Sequence, residues 1–521
     1  MNENAGAVQT MQDTAQEGTP LDGILPEGTP SKGTPSEGAP SKGAPLEGTP
    51  WYKKVMMAAG TVGDSIPYYL FYTYFLYFLT TVVGITPAVA GIISSVAIVW
   101  NAVACPIVGY LSDNSKNPRG RRRPLIRKGF IGEIVFLVLL FAPVPFTGAV
   151  RTAYYVVVAI LLWTCYTCVL IPWQSLGGDL FRDYNERNTL LMWVSILSLP
   201  LAALCNSGPM WIQAWLLPKG VSESACWLIT AVCGVVIIAI GAAICLRASR
   251  GTELTGEAAV KQREEQLQSD GHTAGLLDFF KTCLDLLKMK QYRIIIFVGL
   301  FFLTAYTLTE AVLVYVMTYN AGMSEVQMGT FWVVFSVIAV AGAPICTGLA
   351  NKTNKKTSFL IFDSAAVVVC VVYFILGIHN AIGAYLFGGL FALASAAFWS
   401  IFYSMIYDSI EVYEFKHGVR NEGSVVSLAA FIQTCGGGVA SLIAGFALEF
   451  IGYSSDAVVT ESMEHGLLSL TTIVPAVLIV VAILLLSRYK INRTRFEALK
   501  AALEKKRNGE AYTTEGFEDI L

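Results

Sequence analysis

Apolar runs of about 20 residues, the length that crosses a hydrocarbon core of about 30 Å, recur along the chain beyond Lys53. They predict spanning helices near 55–83, 87–111, 126–146, 152–176, 189–215, 224–247, 291–319, 324–350, 357–379, 381–407, 424–452 and 465–487. Gly and Pro inside the runs do not argue against helices, because membrane helices tolerate them. Between 248 and 290 the pattern changes. Leu276, Leu277, Phe279, Phe280, Leu284 and Leu287 there follow helical spacing with charges between them, which predicts an amphipathic helix on the cytoplasmic membrane surface. Residues 26–50 are a five-residue repeat, PEGTP through LEGTP, alternating Glu and Lys. Such a segment has almost nothing to bury, so the tail is expected to be disordered.

The pattern divides the chain into a low-complexity tail (1–50), a six-helix bundle (51–247), a cytoplasmic linker with its amphipathic helix (248–290), a second six-helix bundle (291–487) and a polar cytoplasmic tail (488–521). The expected fold is an all-α polytopic membrane protein of twelve transmembrane helices in two pseudo-symmetric halves. The halves resemble each other locally: 104–111 read ACPIVGYL and 342–349 read GAPICTGL, each in the second span of its half. Paired halves around a midplane site are a recurrent transporter design.

Composition agrees. The chain is 54% hydrophobic and 14% charged, against about 25% charged in soluble domains. Basic residues cluster in alternate connections: Lys116, Arg119, Arg121, Arg122 and Arg123 in one, Lys352, Lys355 and Lys356 in another, then Arg488, Lys490, Arg493 and Arg495. By the positive-inside rule both termini are expected in the cytoplasm. The first apolar run is read as a span, with no secretory signal before it. The lack of targeting signals suits a bacterial cytoplasmic (inner) membrane. Cys165 and Cys168 form a C-x-x-C inside an apolar run without a second pair, so packing is their expected role.

Two stretches carry a family resemblance. One is Trp100–Asp113, WNAVACPIVGYLSD, continuing to Gly120-Arg121-Arg122-Arg123-Pro124. The other is Ile171-Pro172-Trp173-Gln174-Ser175-Leu176, followed by Asp183-Tyr184-Asn185-Glu186-Arg187. Both resemble the melibiose-permease-like branch of the major facilitator superfamily, the glycoside–pentoside–hexuronide:cation symporters. Tyr407–Glu414 and then Arg420-Asn421-Glu422 look like the matching signature of the second half. The similarity covers about residues 55–490. It implies the fold, a central cavity and solute transport by a protein that works as a monomer. The family's second span usually reads W-D-x-x-x-D-P, with acids that help bind the coupling cation; Asn101 and Cys105 stand there in this chain. The acid often found before the I-P-x-x-S-L element is Leu170. The family's fifth-span Arg falls near Val194 or Ser195, and its eleventh-span Lys near Gln433 or Thr434. These departures set the family's sodium site aside.

Ionisable groups within a span are costly and mark function or pairing. Asp64, Glu133, Glu310 and Asp363 qualify. Glu133 and Asp363 stand nearest the basic loops, so structural ion pairs at the gate are expected of them. Asp64 and Glu310 lie well inside the first and seventh spans. Tyr68 and Tyr72 follow Asp64 at i+4 and i+8, on one helical face. A carboxylate beside aromatic rings suits a sugar, and Asp64 also matches an acid that the family's sugar permeases use for substrate hydroxyls. Glu310 has Tyr306 one turn before it. An acid in an apolar span favours its neutral form, a property that suits a proton carrier. Coupling is therefore assigned to Asp64 and Glu310.

Further candidate solute contacts are Asn101, Trp163, Trp173, Gln174, Trp399 and Gln433, with Trp193 and Tyr403 as additional aromatics. A cytoplasmic gate is expected from Asp113, Arg121, Arg123, Asp183, Arg187 and Asp408, latching the halves in an outward-facing state. There is no Walker-type loop for ATP, no His/Cys metal cluster and no cofactor motif, and nothing points to nucleic acid or to an enzyme. The expected partners are a small-molecule solute, a coupling cation and the lipid bilayer. The leading reading is a cation-coupled carrier of a sugar or glycoside, with the proton preferred to sodium; the alternative is the same fold carrying an amphipathic or other non-sugar solute, with or without coupling.

Overall fold

The computed structural model describes residues 50–521 apart from 114, 116, 118, 182–183, 252–275, 419–421, 455–459 and 521. The low-complexity tail and most of the linker lie outside the described residues.

The first half comprises α1 (Trp51–Ala58), α2 (Thr61–Tyr69), α3 (Pro87–Asp113), α4 (Arg123–Leu140), α5 (Gly148–Leu180), α6 (Tyr184–Leu216) and α7 (Glu223–Ala248). The amphipathic segment forms α8 (Leu276–Lys288). The second half comprises α9 (Lys290–Tyr315), α10 (Glu325–Lys352), α11 (Lys355–Leu376), α12 (Ala381–His417), α13 (Glu422–Phe450), α14 (Glu461–Thr471) and α15 (Ile473–Ser487). No strand occurs among the described residues.

Ten described helices are long and apolar enough to cross a membrane. The other two expected spans have identifiable reasons for missing that test. α4 carries Arg123, Arg127, Lys128 and Glu133 within its 18 residues. The first span is α2 continued by wider π-helical turns at Leu70–Phe75 and Phe78–Val82. The seventh span ends the same way, α9 passing into π-helical Val316–Asn320. Such turns tend to fall at functional sites.

Polar caps delimit the spans. Ser324 accepts from the Gln327 N–H while the Gln327 side chain accepts from the Ser324 N–H, a reciprocal cap that starts α10. The Asn354 and Asn380 side chains accept from the N–H groups of Thr357 and Gly383 to start α11 and α12. α12 has 37 residues, which at about 1.5 Å per residue outreaches the hydrocarbon core. Its C-terminal turns therefore extend beyond the span.

The halves meet along two seams, α3 with α13 and α6 with α10. At the first, Gly91 faces Gly445. A Cβ at Gly91 would lie 2.7 Å from the Ser441 carbonyl oxygen and 2.8 Å from the Gly445 Cα. Small residues allow membrane helices this approach. At the second seam the Trp211 ring covers Gly329. Near the basic-poor ends of the spans, hydrogen bonds also cross between halves. Thr80 Oγ1 and Tyr315 Oη are 2.6 Å apart, Thr81 Oγ1 and Tyr453 Oη 2.8 Å, and the Ala88 N–H donates to Glu449 Oε2 at 2.8 Å. The basic-poor ends are thus joined.

The polar C-terminal tail contains a helix that the apolar pattern did not predict, α16 (Arg493–Arg507). The Asn492 side chain caps it by accepting from the Arg495 N–H, and Leu499, Ala502 and Leu503 are buried beneath it. Arg507 donates to both carboxylate oxygens of Glu414 on α12 at 2.8 and 2.6 Å. Lys506 Nζ donates to the Phe415 carbonyl at 2.6 Å. Phe517 and Ile520 are buried beyond the helix. Asp519 receives Lys490 and Arg495 at 3.1 and 3.2 Å.

Candidate functional site between the halves

α2 and the π-helical turns after it place Asp64, Tyr68 and Tyr72 toward the space between the halves, all half-buried in mid-span. Tyr166 on α5 donates its hydroxyl to Asp64 Oδ1 at 2.7 Å. The rings form a continuous wall. Tyr68 and Tyr72 have centroids 4.4 Å apart, Tyr72 meets the edge of Trp163 at 5.9 Å, and Trp163 meets Tyr166 at 4.7 Å. Trp163 itself is buried, so it backs the wall.

The second half supplies an opposing acid. Glu310 on α9 is half-buried, with Tyr306 one turn earlier within its electrostatic reach. The Tyr306 ring meets Trp399 edge-on at 5.9 Å, and Trp399 is 47% exposed. Tyr68 and Tyr69 lie within electrostatic reach of both Asp64 and Glu310. One aromatic pair therefore bridges two carboxyl groups that belong to opposite halves. Gly437 on α13 closes this region, since a Cβ there would lie 2.7 Å from the Tyr72 ring.

The other candidates separate by environment. Asn101 is buried, and its Oδ1 accepts the Thr167 hydroxyl at 2.8 Å. Cys105 Sγ is 3.9 Å from the same oxygen. The places where the resemblance implies acids are thus held in a neutral α3–α5 contact. Gln433 is buried; Tyr403 donates to its Oε1 at 3.4 Å, and its Nε2 has no partner. Gln174 is exposed. Trp173, one residue earlier, is buried with its ring against Gly60 and its Nε1 donating to the Met57 carbonyl at 3.0 Å. It packs within the first half and does not face the Asp64 wall.

The expected ion pairs of Glu133 and Asp363 are not present. Both side chains are wholly buried, and none of their four carboxylate oxygens has a hydrogen-bond partner among the described residues. The reason is direction. Glu133 points at α2, where a Cβ on Gly63 would lie 2.9 Å from its Oε2. Asp363 lies more than two turns beyond Lys355, whose ammonium is taken by Asp408 at 2.7 Å.

Two of the gate candidates, Asp408 and Arg123, make bonds within their own halves. Asp408 pairs with Lys355, both on the second half. Arg123 donates to the Leu246 carbonyl at 2.8 Å and to Ser249 Oγ at 3.2 Å, around the end of α7. Glu186 pairs with Lys54 at 3.1 Å. Arg121 is half-buried and Arg187 exposed. Asp183 and the side chain of Asp113 lie outside the described residues. In this conformation, with the basic-poor ends joined, these bonds do not latch one half to the other.

Tyr166 and Tyr69 are the site residues that the sequence reading missed. Tyr166 stands three residues after Trp163 and one before Thr167, so a helical wheel of α5 carried a signal.

The bundle of two helical halves is the architecture of a multi-pass membrane protein. Over residues 56–493 the chain matches the family described as MFS/sugar transport protein, and it belongs to that family. The glucuronide carrier protein homolog of Escherichia coli is 22% identical over 468 residues, covering 88% of this chain and 96% of the relative. The isoprimeverose transporter of Lactiplantibacillus pentosus is 24% identical over 419 residues, covering 78% and 81%. Among solved structures, that of a D-xylose-proton symporter superposes with a TM-score of 0.57 at 13% identity, covering 85% of this chain and 98% of that one. The major facilitator fold and the melibiose-permease-like resemblance are both borne out.

Proposed function

We propose that this chain moves a sugar or glycoside across the cytoplasmic membrane by alternating access, coupled to protons and not to sodium. The observation that carries the reading is the pair Asp64 and Glu310, contributed by opposite halves and bridged by Tyr68 and Tyr69. A solute lying between them contacts both halves at once. Rocking the halves about it would exchange the open side, as the paired-repeat design requires. Tyrosine hydroxyls and carboxyl groups suit sugar hydroxyls, and the Tyr68, Tyr72 and Trp399 rings suit the C–H faces. The relatives named for isoprimeverose and glucuronides, and the fold shared with a D-xylose-proton symporter, support a sugar cargo.

The coupling assignment follows from what α3 contains. Asn101 accepts from both Cys105 and Thr167, and a hard cation such as sodium prefers several oxygen ligands. A proton needs only one carboxyl group. Uptake of labelled glycosides into proteoliposomes, under a proton gradient, a sodium gradient and none, tests this. Proton-driven accumulation is expected, and its loss in the double variant Glu310→Gln, Asp64→Asn. Accumulation that survives in the double variant refutes the proton assignment.

A further inference from the structure

Four carboxyl groups occupy span interiors without a basic partner among the described residues: Asp64, Glu133, Glu310 and Asp363. Among the described residues, lysines and arginines lie towards helix ends, and several are engaged there. Lys54 holds Glu186, Arg123 holds the end of α7, Arg151 donates to the Val83 carbonyl at 2.7 Å, and Lys355 holds Asp408. Around the Asp64–Glu310 site the ionisable neighbours are acids, tyrosines and Cys205.

We infer that the solute carries no negative charge: the site selects uncharged or amine-bearing polyhydroxylated solutes and rejects their carboxylate and sulfonate counterparts. This rests on the sugar reading above and narrows it. The argument holds for either protonation state of the acids. If Asp64 or Glu310 is ionised, an anionic solute meets a like charge, which is strongly unfavourable in an interface. If both are protonated, the anion is still buried without a counter-charge, and unpaired burial is costly. An ammonium group, by contrast, finds carboxyl groups and ring faces together, the combination that recognises organic cations. Glucuronides are therefore excluded here, although a relative 22% identical is named for them.

The test is competition among three ligands that share one pyranoside frame and differ at a single substituent: methyl glucoside, methyl glucosaminide with an ammonium in place of the 2-hydroxyl, and methyl glucuronide with a carboxylate in place of the C6 hydroxymethyl. Binding to the purified full chain is measured by tryptophan fluorescence, Trp399 being half-exposed beside Tyr306. The first two are expected to bind, and the glucuronide at least about tenfold more weakly, as like-charge juxtaposition requires. Glucuronide binding as tight as that of the glucoside overturns the charge rule and leaves the sugar reading intact. No binding of any of the three overturns the sugar reading, and the charge rule with it. A gain-of-function arm uses Gln433→Lys. Gln433 stands one turn from Gly437, which touches Tyr72, and its free Nε2 marks where an ammonium would lie. This variant is expected to raise glucuronide binding relative to glucoside, with its melting temperature and gel-filtration profile reporting that it is folded. An unchanged glucuronide-to-glucoside ratio in the folded variant counts against the rule.

Discussion

Replacing Gly91 by alanine should loosen the joined basic-poor ends of the two halves. The added Cβ would sit 2.7 Å from the Ser441 carbonyl oxygen and 2.8 Å from the Gly445 Cα. Both obstacles are backbone, so no side-chain rotation relieves them. Restoring an ordinary contact near 3.4 Å requires α3 and α13 to separate locally by about 0.7 Å. Overpacking of this kind costs about 1–3 kcal/mol. The strain falls beside the cross-half bonds Thr80–Tyr315, Thr81–Tyr453 and Ala88–Glu449, each worth about 0.5–1.5 kcal/mol net. A penalty of about 2 kcal/mol confined to this conformation would shift its population against the alternative by about thirtyfold. The shift is measurable as a longer distance between spin labels at Thr86 and Ser454, which are exposed on opposite halves. Gly348→Ala serves as control, because nothing lies within 4 Å of a Cβ at that position. An unaltered distance distribution in Gly91→Ala, with uptake also unchanged, would refute the reasoning.

Other outcomes follow from individual contacts. Tyr166→Phe removes the donor to Asp64; a hydrogen bond to a neutral carboxyl is worth about 0.5–1.5 kcal/mol, so solute affinity should fall by about two- to tenfold, as read by binding beside melting of one preparation. Arg507→Ala breaks an ion pair whose arginine side chain is 51% exposed. Solvent screening limits its loss to about 1 kcal/mol or less, whereas truncation after Lys490 uncovers the surface beneath Leu499, Ala502 and Leu503 and should lower the melting temperature clearly more. The Lys490 ammonium beside Asp519 holds that carboxyl below the usual range. A lowered folded value contributes docking stability fully present above the unfolded value of about 3.9 and lost as pH falls through the folded one. Protection of the tail against hydrogen exchange should therefore be level around neutral pH and fall in acid, and Asp519→Asn should lower it at neutral pH and remove the acid-dependent step.

Much of the architecture was legible because lipid imposes a coarse rule. An apolar run of about 20 residues has few alternatives to a spanning helix, so even α4, with its four charges, was found from its place in the pattern. Asp64 and Glu310 were legible for the same reason, since a charge in such a run stands out. Direction was not. Glu133 is near the basic loop along the chain, yet its side chain points at Gly63, and only the packing of α4 on α2 decides that. Trp173 and Gln174 are adjacent in the motif, yet one is sealed under Met57 and Gly60 and the other is exposed. The Tyr166 bond to Asp64 spans 102 positions, a pairing that local spacing does not contain. The C-terminal helix was missed because its burial depends on a docking surface, although Leu499, Ala502 and Leu503 already had the helical interval.

The C-terminal helix has a practical consequence for watching the protein work. The named bonds of the tail run to Glu414, Phe415 and Gln291, all in the second half. The tail is thus bolted to one of the two moving bodies and should travel with it as a rigid lever. A fluorophore placed near Gly509 would act as the tip of that lever, turning a small rotation of the second half into a larger displacement, while a donor beside Arg187 on the first half supplies the fixed reference.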